Sequence, residues 1–107
     1  FVDNTTSENI AALYEEILSN SIAIVTPNKK ANTGSYAQYK AMRESALQAN
    51  AGLFYETNVG GGLPVIDTLR GLVGSGDSVH KIEAICSGTL SYVFNTFTEG
   101  KRFSDVI

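Results

Sequence analysis

Three short stretches gather most of the side chains that could do chemistry in this chain. Asp3-Asn4-Thr5-Thr6-Ser7 sets small hydroxyl and amide groups just ahead of a helical pattern. A helix start of that kind suits a phosphate or the polar edge of a cofactor, although an ordinary capping cluster is the commoner use of such residues. Pro27-Asn28-Lys29-Lys30 offers ammonium groups. A lysine at a cleft rim can donate a proton or hold a developing oxyanion, whereas most loop lysines are simply solvated charges. Val59-Gly60-Gly61-Gly62-Leu63-Pro64 is the third stretch. Consecutive glycines cost backbone entropy unless the chain needs unusual dihedrals or a close approach. Such a loop can present N–H groups to an anion or carbonyl oxygens to a cation, or be no more than a tight turn. It is not a dinucleotide fingerprint, which would follow the first strand of its fold. His80 has no second histidine or cysteine at ligand spacing and reads as a surface residue. Cys86 shares an alternation face with Ile82 and Ala84 and reads as a small buried hydrophobe.

These stretches need elements to position them. Ile10, Leu13, Tyr14, Ile17 and Leu18 recur at helical spacing and predict a helix over Glu8 to Ser19, with Ser7 as its cap. Ser21 to Thr26 is β-branched and uncharged, which suits a strand covered on both faces. With Phe1-Val2-Asp3 as the end of an earlier strand, the order is that of a parallel βαβ unit. Pro27 to Gly34 is then the loop leaving a strand's carboxyl end, where open α/β sheets bind their ligands. A helix over Ser35 to Asn50, a strand over Leu53 to Val59 and a helix from Pro64 to Val73 follow. Next come a strand over His80 to Cys86, a helix after Ser87-Gly88 and the start of a last helix at Phe103 to Ile107. Both ends read as cut, so the chain is expected to be a piece of a longer α/β protein.

Composition narrows the function classes. With 107 residues, 43% hydrophobic and 18% charged, the chain is ordinary for a globular domain. No apolar run approaches the ~20 residues of a membrane span, and a signal peptide's basic and apolar regions are missing from the first residues. A single cysteine forms no internal disulfide, so the expected compartment is the cytoplasm. Eight Lys+Arg against 11 Asp+Glu, a net charge of −3, provide no basic surface, so nucleic acid is not an expected partner.

Thr26-Pro27-Asn28-Lys29-Lys30-Ala31, Glu56-Thr57-Asn58-Val59-Gly60-Gly61-Gly62-Leu63-Pro64-Val65-Ile66 and Lys81 through Asn95 together resemble homoserine dehydrogenase. With Asp3-Asn4-Thr5 ahead of them, the likeness covers nearly the whole chain. Lys29 to Thr33 and Asn58 look most like the dehydrogenase half of bifunctional aspartokinase–homoserine dehydrogenases, so a fused aspartokinase is implied as a neighbour in the parent chain. The resemblance implies an α/β fragment. It would join the end of a Rossmann-type NAD(P)-binding domain (1–34) to the start of a catalytic and dimerisation domain (35–107), whose sheet continues through the strands at Leu53 to Val59 and His80 to Cys86. The implied reaction is NAD(P)-dependent interconversion of L-homoserine and L-aspartate 4-semialdehyde, on the route to threonine, methionine and isoleucine, by a homodimer. By the same resemblance Lys29 is catalytic and also contacts the cofactor, Thr5 and Thr6 are cofactor contacts, and Lys30 has a weaker claim. A monovalent cation, usually sodium, would be held by Glu56 and the carbonyls of Val59, Gly61 and Leu63. The rival expectation is a non-catalytic dimerisation or regulatory α/β module.

The family's Gly-x-Gly-x-x-Gly loop would lie before Phe1, and its acidic substrate clamp and second catalytic lysine would lie beyond Ile107. The isolated 107-residue chain is therefore expected to be inactive. Homoserine-dependent reduction of NAD(P) by the purified chain, followed by absorbance, would overturn that expectation.

Overall fold

The computed structural model describes residues Phe1–Ile107, which divide into two units, Phe1–Asp67 and Thr68–Ile107. In the first unit the Ser7 hydroxyl accepts the Ile10 N–H at 3.3 Å and starts α1 (Glu8–Ala11). The helix expected to run unbroken to Ser19 tightens at Ala12-Leu13, where Leu13 N–H reaches Ile10 O at 3.1 Å, and resumes as α2 (Tyr14–Ser19). The break leaves Leu13 exposed while Tyr14 and Leu18 enter the core.

β1 (Ile24–Val25) pairs in parallel with β2 (Leu53–Phe54), Ile24 opposite Leu53, and Val2 bridges Val25 on the other side. Strand alternation puts Ile24 and Leu53 on one face, where they pack with Tyr14, Leu18 and Met42. Val2, Val25 and Phe54 lie exposed on the opposite face, so β1 is covered on one side and not on two. Successive parallel crossovers of one hand, stepping the same way across a sheet, must land their helices on the same face. Here those helices are α2 and α4 (Tyr36–Gln48), which pack on each other.

The residues between β1 and α4 are not all loop, because Lys30–Thr33 make a helical turn, α3. Ser35 and Gln38 then start α4 with a reciprocal capping box. At its other end Asn50 takes the left-handed conformation (φ 50°), and Ala51 N–H returns to Ala46 O at 2.9 Å, a Schellman closure. β2 is shorter than the sequence predicts. Tyr55 leaves the extended region at φ −140°, ψ 30°, its ring 4.5 Å from the Arg43 guanidinium, which also binds its hydroxyl, and Glu56–Asn58 form a 3-10 turn.

Thr68–Ile107 carries most of α5 (Val65–Gly74), then α6 (Gly88–Thr96), capped by Ser87, and a 3-10 turn at Phe103–Asp105. Phe97 and Phe103 meet edge to face at 5.6 Å. The strand expected over His80 to Cys86 does not form. Strand hydrogen bonds need a second strand alongside, and none lies there, so Ile82 and Ile85 are exposed. Cys86 is exposed too, against its expected burial. No residue of this unit is fully buried. No helix in the chain is long and apolar enough to cross a membrane.

Leu18 is 0% exposed at the centre of the core. Leu18→Ala is expected to lower the unfolding free energy by about 2–5 kcal/mol, read from urea denaturation.

Candidate functional site

The carboxyl ends of the parallel strands hold a buried polar cluster: Asp3, just past the Val2 bridge, and Thr26 and Asn28, just past β1, are each at most 3% exposed. Asp3 Oδ1 accepts the Thr5 N–H at 2.7 Å, which bends the Asp3–Ser7 loop back on itself. Asp3 Oδ2 accepts the Tyr14 hydroxyl at 2.5 Å and the Asn28 amide at 2.9 Å. Thr26 Oγ1 lies 2.8 Å from the Tyr14 hydroxyl, donates to Asp3 O at 3.0 Å and accepts the Asn28 N–H at 2.9 Å. Asn28 also donates to Ser7 O and accepts the Lys30 N–H, both at 3.0 Å.

Burial by itself would raise the Asp3 carboxyl. The hydrogen bonds from Tyr14, Asn28 and Thr5 outweigh it and hold the group well below the usual carboxylate range. Burial pushes the Tyr14 phenol up, and the neighbouring Asp3 carboxylate adds to this, to about 12 against a smaller opposing effect of Thr26.

On the outer side of this cluster, Thr5, Thr6 and Lys29 are exposed. The Lys29 carbonyl accepts the Asn32 N–H at 3.1 Å and the Thr33 hydroxyl at 3.0 Å. Lys30 Nζ instead pairs with Glu8 at 2.8 Å, an exposed contact that solvent screens.

The glycine stretch is tied to the same strand end. Asn58 donates to Thr26 O at 3.3 Å and accepts from Asn32 at 3.0 Å. Gly60 and Gly61 have φ of 76° and 61°, so both need the left-handed region that glycine alone enters freely. Both Glu56 carboxylate oxygens are engaged, accepting the Ile66 N–H at 2.9 Å and the Asp67 N–H at 2.8 Å at the start of α5. Leu63 O accepts the Val65 N–H at 2.9 Å.

The structure therefore brings the Asp3–Ser7 loop and the lysine turn into direct contact and links the glycine loop to them through Asn58. Helical spacing places Tyr14 in an apolar stripe and gives no role to its hydroxyl, which lies in the polar cluster. A buried tyrosine oxygen needs a polar partner, and that requirement was the available signal.

Parallel strands joined by helical crossovers, with buried polar side chains clustered at their carboxyl ends, place the chain in the open α/β class, whose ligands bind at that edge of the sheet. The profile described as "Homoserine dehydrogenase, NAD binding domain" matches residues 1–56, and "Homoserine dehydrogenase" matches residues 64–107. The chain belongs to the homoserine dehydrogenase family. It is 48% identical over 106 residues to Bifunctional aspartokinase/homoserine dehydrogenase 2, chloroplastic, of Arabidopsis thaliana, covering 99% of this chain and 12% of that protein. It is 47% identical over 111 residues to Homoserine dehydrogenase of Schizosaccharomyces pombe, covering 99% and 30%. A hyperthermophilic archaeal homoserine dehydrogenase solved in complex with NADPH superposes with a TM-score of 0.81 at 30% identity, over 98% of this chain and 32% of that one. The chain thus spans a third or less of the length of these relatives.

Asp3 is more acidic in the folded protein, so its contribution to stability is complete above the ordinary carboxylate range near pH ~4 and is lost as pH falls below it. Tyr14 has the opposite sign: its contribution is complete below pH ~10 and is lost as pH climbs towards 12. Tyr14→Phe is expected to cost about 1–3 kcal/mol at neutral pH and to flatten the alkaline limb, measured as urea unfolding against pH.

Proposed function

We propose that the protein to which this chain contributes is an NAD(P)-dependent oxidoreductase that interconverts L-homoserine and L-aspartate 4-semialdehyde. The observation that carries this reading is the direct Asp3–Asn28 hydrogen bond, 2.9 Å, joining the Thr5–Thr6 loop to the Lys29 turn at adjacent strand ends, in a chain of this family. The exposed hydroxyls of Thr5 and Thr6 and the Lys29 ammonium are a donor set that suits the polar edge of a nicotinamide nucleotide. NAD(P), when bound there, would supply hydride to the aldehyde carbon of the semialdehyde and, in the reverse direction, take it from the alcohol carbon of homoserine.

Lys29 then has a defined task. As the carbonyl carbon of the semialdehyde takes up hydride, its oxygen gains negative charge and needs a proton to become the alcohol of homoserine. An ammonium on the turn supplies that proton or holds the charge while it arrives, and reverses the role in homoserine oxidation. Lys30, paired with Glu8, is less free for this work.

The glycine loop is read as the seat of a monovalent cation such as sodium. A carboxylate and carbonyl oxygens are what a hard cation takes, and Glu56 and Leu63 each keep lone pairs beyond those already used by N–H groups. Glu56, Val59, Gly61 and Leu63 would hold the ion and stiffen the loop next to Asn58.

In the intact protein, Lys29→Ala is expected to lower kcat by about 100-fold or more. Retained kcat with weakened substrate binding alone would reduce Lys29 to a binding group. Glu56→Gln is expected to raise the sodium concentration needed for half-maximal activity. Activity indifferent to sodium, potassium and chelation by a cryptand would remove the cation from the reading.

A further inference from the structure

We infer that Asn28 is a positioning residue that locks the lysine turn onto the Asp3–Ser7 loop, so that Lys29 and the hydroxyls of Thr5 and Thr6 keep one fixed spacing. This rests on the site being that of a dehydrogenase, and it gives a task to a residue that reading leaves without one.

The side chain is 3% exposed and nearly all of its hydrogen-bonding capacity is used. Its amide NH2 donates to Asp3 Oδ2 at 2.9 Å and to Ser7 O at 3.0 Å, and its Oδ1 accepts the Lys30 N–H at 3.0 Å. Its own N–H is held by Thr26 Oγ1 at 2.9 Å. The backbone is therefore pinned on both sides of Lys29, at residues 28 and 30. The Lys29 ammonium stays exposed and outside the network.

An amide has nearly the same shape in both flipped orientations, so packing does not choose between them. Asp3 does. An ionised carboxylate only accepts, so the NH2 must face it, and Oδ1 is left facing the Lys30 N–H. Tyr14 and Thr5 also donate to Asp3, which keeps it in that ionised, accepting form. The direction of one amide thus passes from α2 and the strand end to the peptides that carry the lysine. A displacement of about 1 Å at a reacting group can cost on the order of 100-fold in rate, so the lock has a kinetic consequence that filling the core does not.

The test uses the intact enzyme with homoserine and NAD(P). Asn28→Ala is expected to lower kcat per folded molecule by about 10- to 100-fold. Combined with Lys29→Ala it should add little to the loss caused by Lys29→Ala, because it acts through that residue. Asn28→Asp adds a pH signature. Asp3, the Tyr14 hydroxyl and the Lys30 N–H face the introduced carboxyl, with the Lys30–Glu8 pair at the surface nearby. Protonated, that carboxyl can donate to Asp3 and accept from Lys30, whereas ionised it repels Asp3. Its kcat relative to the unsubstituted enzyme should therefore rise as pH is lowered. Unchanged kcat in Asn28→Ala, fully additive losses in the double variant, or a flat ratio with pH in Asn28→Asp would each overturn the inference. Should Asn28→Ala fail to fold, the Asn28→Asp profile decides alone. An unsubstituted enzyme without homoserine-dependent turnover would instead overturn the proposed activity, a distinguishable result.

Discussion

A carboxylate at 2% exposure is the constraint on which the rest of the first unit depends. Buried and ionised, Asp3 would be strongly destabilising without donors, and its donors come from separate parts of the chain: Thr5 in the following loop, Tyr14 in α2 and Asn28 beyond β1. Satisfying them together fixes how far α2 sits from the strand ends and how the two loops abut. Tyr14 serves both sides of this arrangement. Its ring packs with Leu18, Ile24, Met42 and Leu53, and its hydroxyl reaches the polar cluster, so the core and the site share one side chain.

Charge is organised differently at the glycine loop. The Glu56 carboxylate sits at the start of the ten-residue α5, where exposed N–H groups favour an anion, and it holds the Ile66 and Asp67 amides directly. The left-handed Gly60 and Gly61 let the chain turn tightly between that carboxylate and the helix it caps. A Cβ at Gly60 would come within 2.8 Å of the Val65 side chain, so that position is restricted by space as well as by dihedral angle. Asn58 connects this turn to the carbonyl of Thr26, and through it to the lysine turn.

Local rules carried well from residues to structure wherever the interaction is local. Ser7 caps the helix that follows, as a hydroxyl placed ahead of helical spacing should, and Ser35 and Ser87 cap α4 and α6 in the same way, Ser35 standing just before the helix and not as its first residue. Asn50 ends α4 in the left-handed region, a conformation asparagine enters more readily than most residues. The family motifs were legible for the same reason: their residue types and spacing are properties of the chain itself. Gly60 and Gly61 were also readable as places of unusual backbone, because no other residue adopts a positive φ so freely.

Residue types and spacing alone were enough for the outer limits of the longer helices, the parallel order of the first elements and the family to which the motifs belong, but not for the break at Ala12-Leu13 or the helical turn α3. Tertiary structure decided the interactions that join distant positions. Alternation at His80 to Cys86 looked like a strand, yet a strand exists only where a second backbone accepts its hydrogen bonds, and none is there. Tyr14 fell at a helical spacing that says which face it occupies, but not that its hydroxyl would meet Asp3, 11 positions earlier, at 2.5 Å. The orientation of Asn28 was equally invisible, since an amide's direction is set by the donors and acceptors around it, and those were assembled only when the strands came side by side.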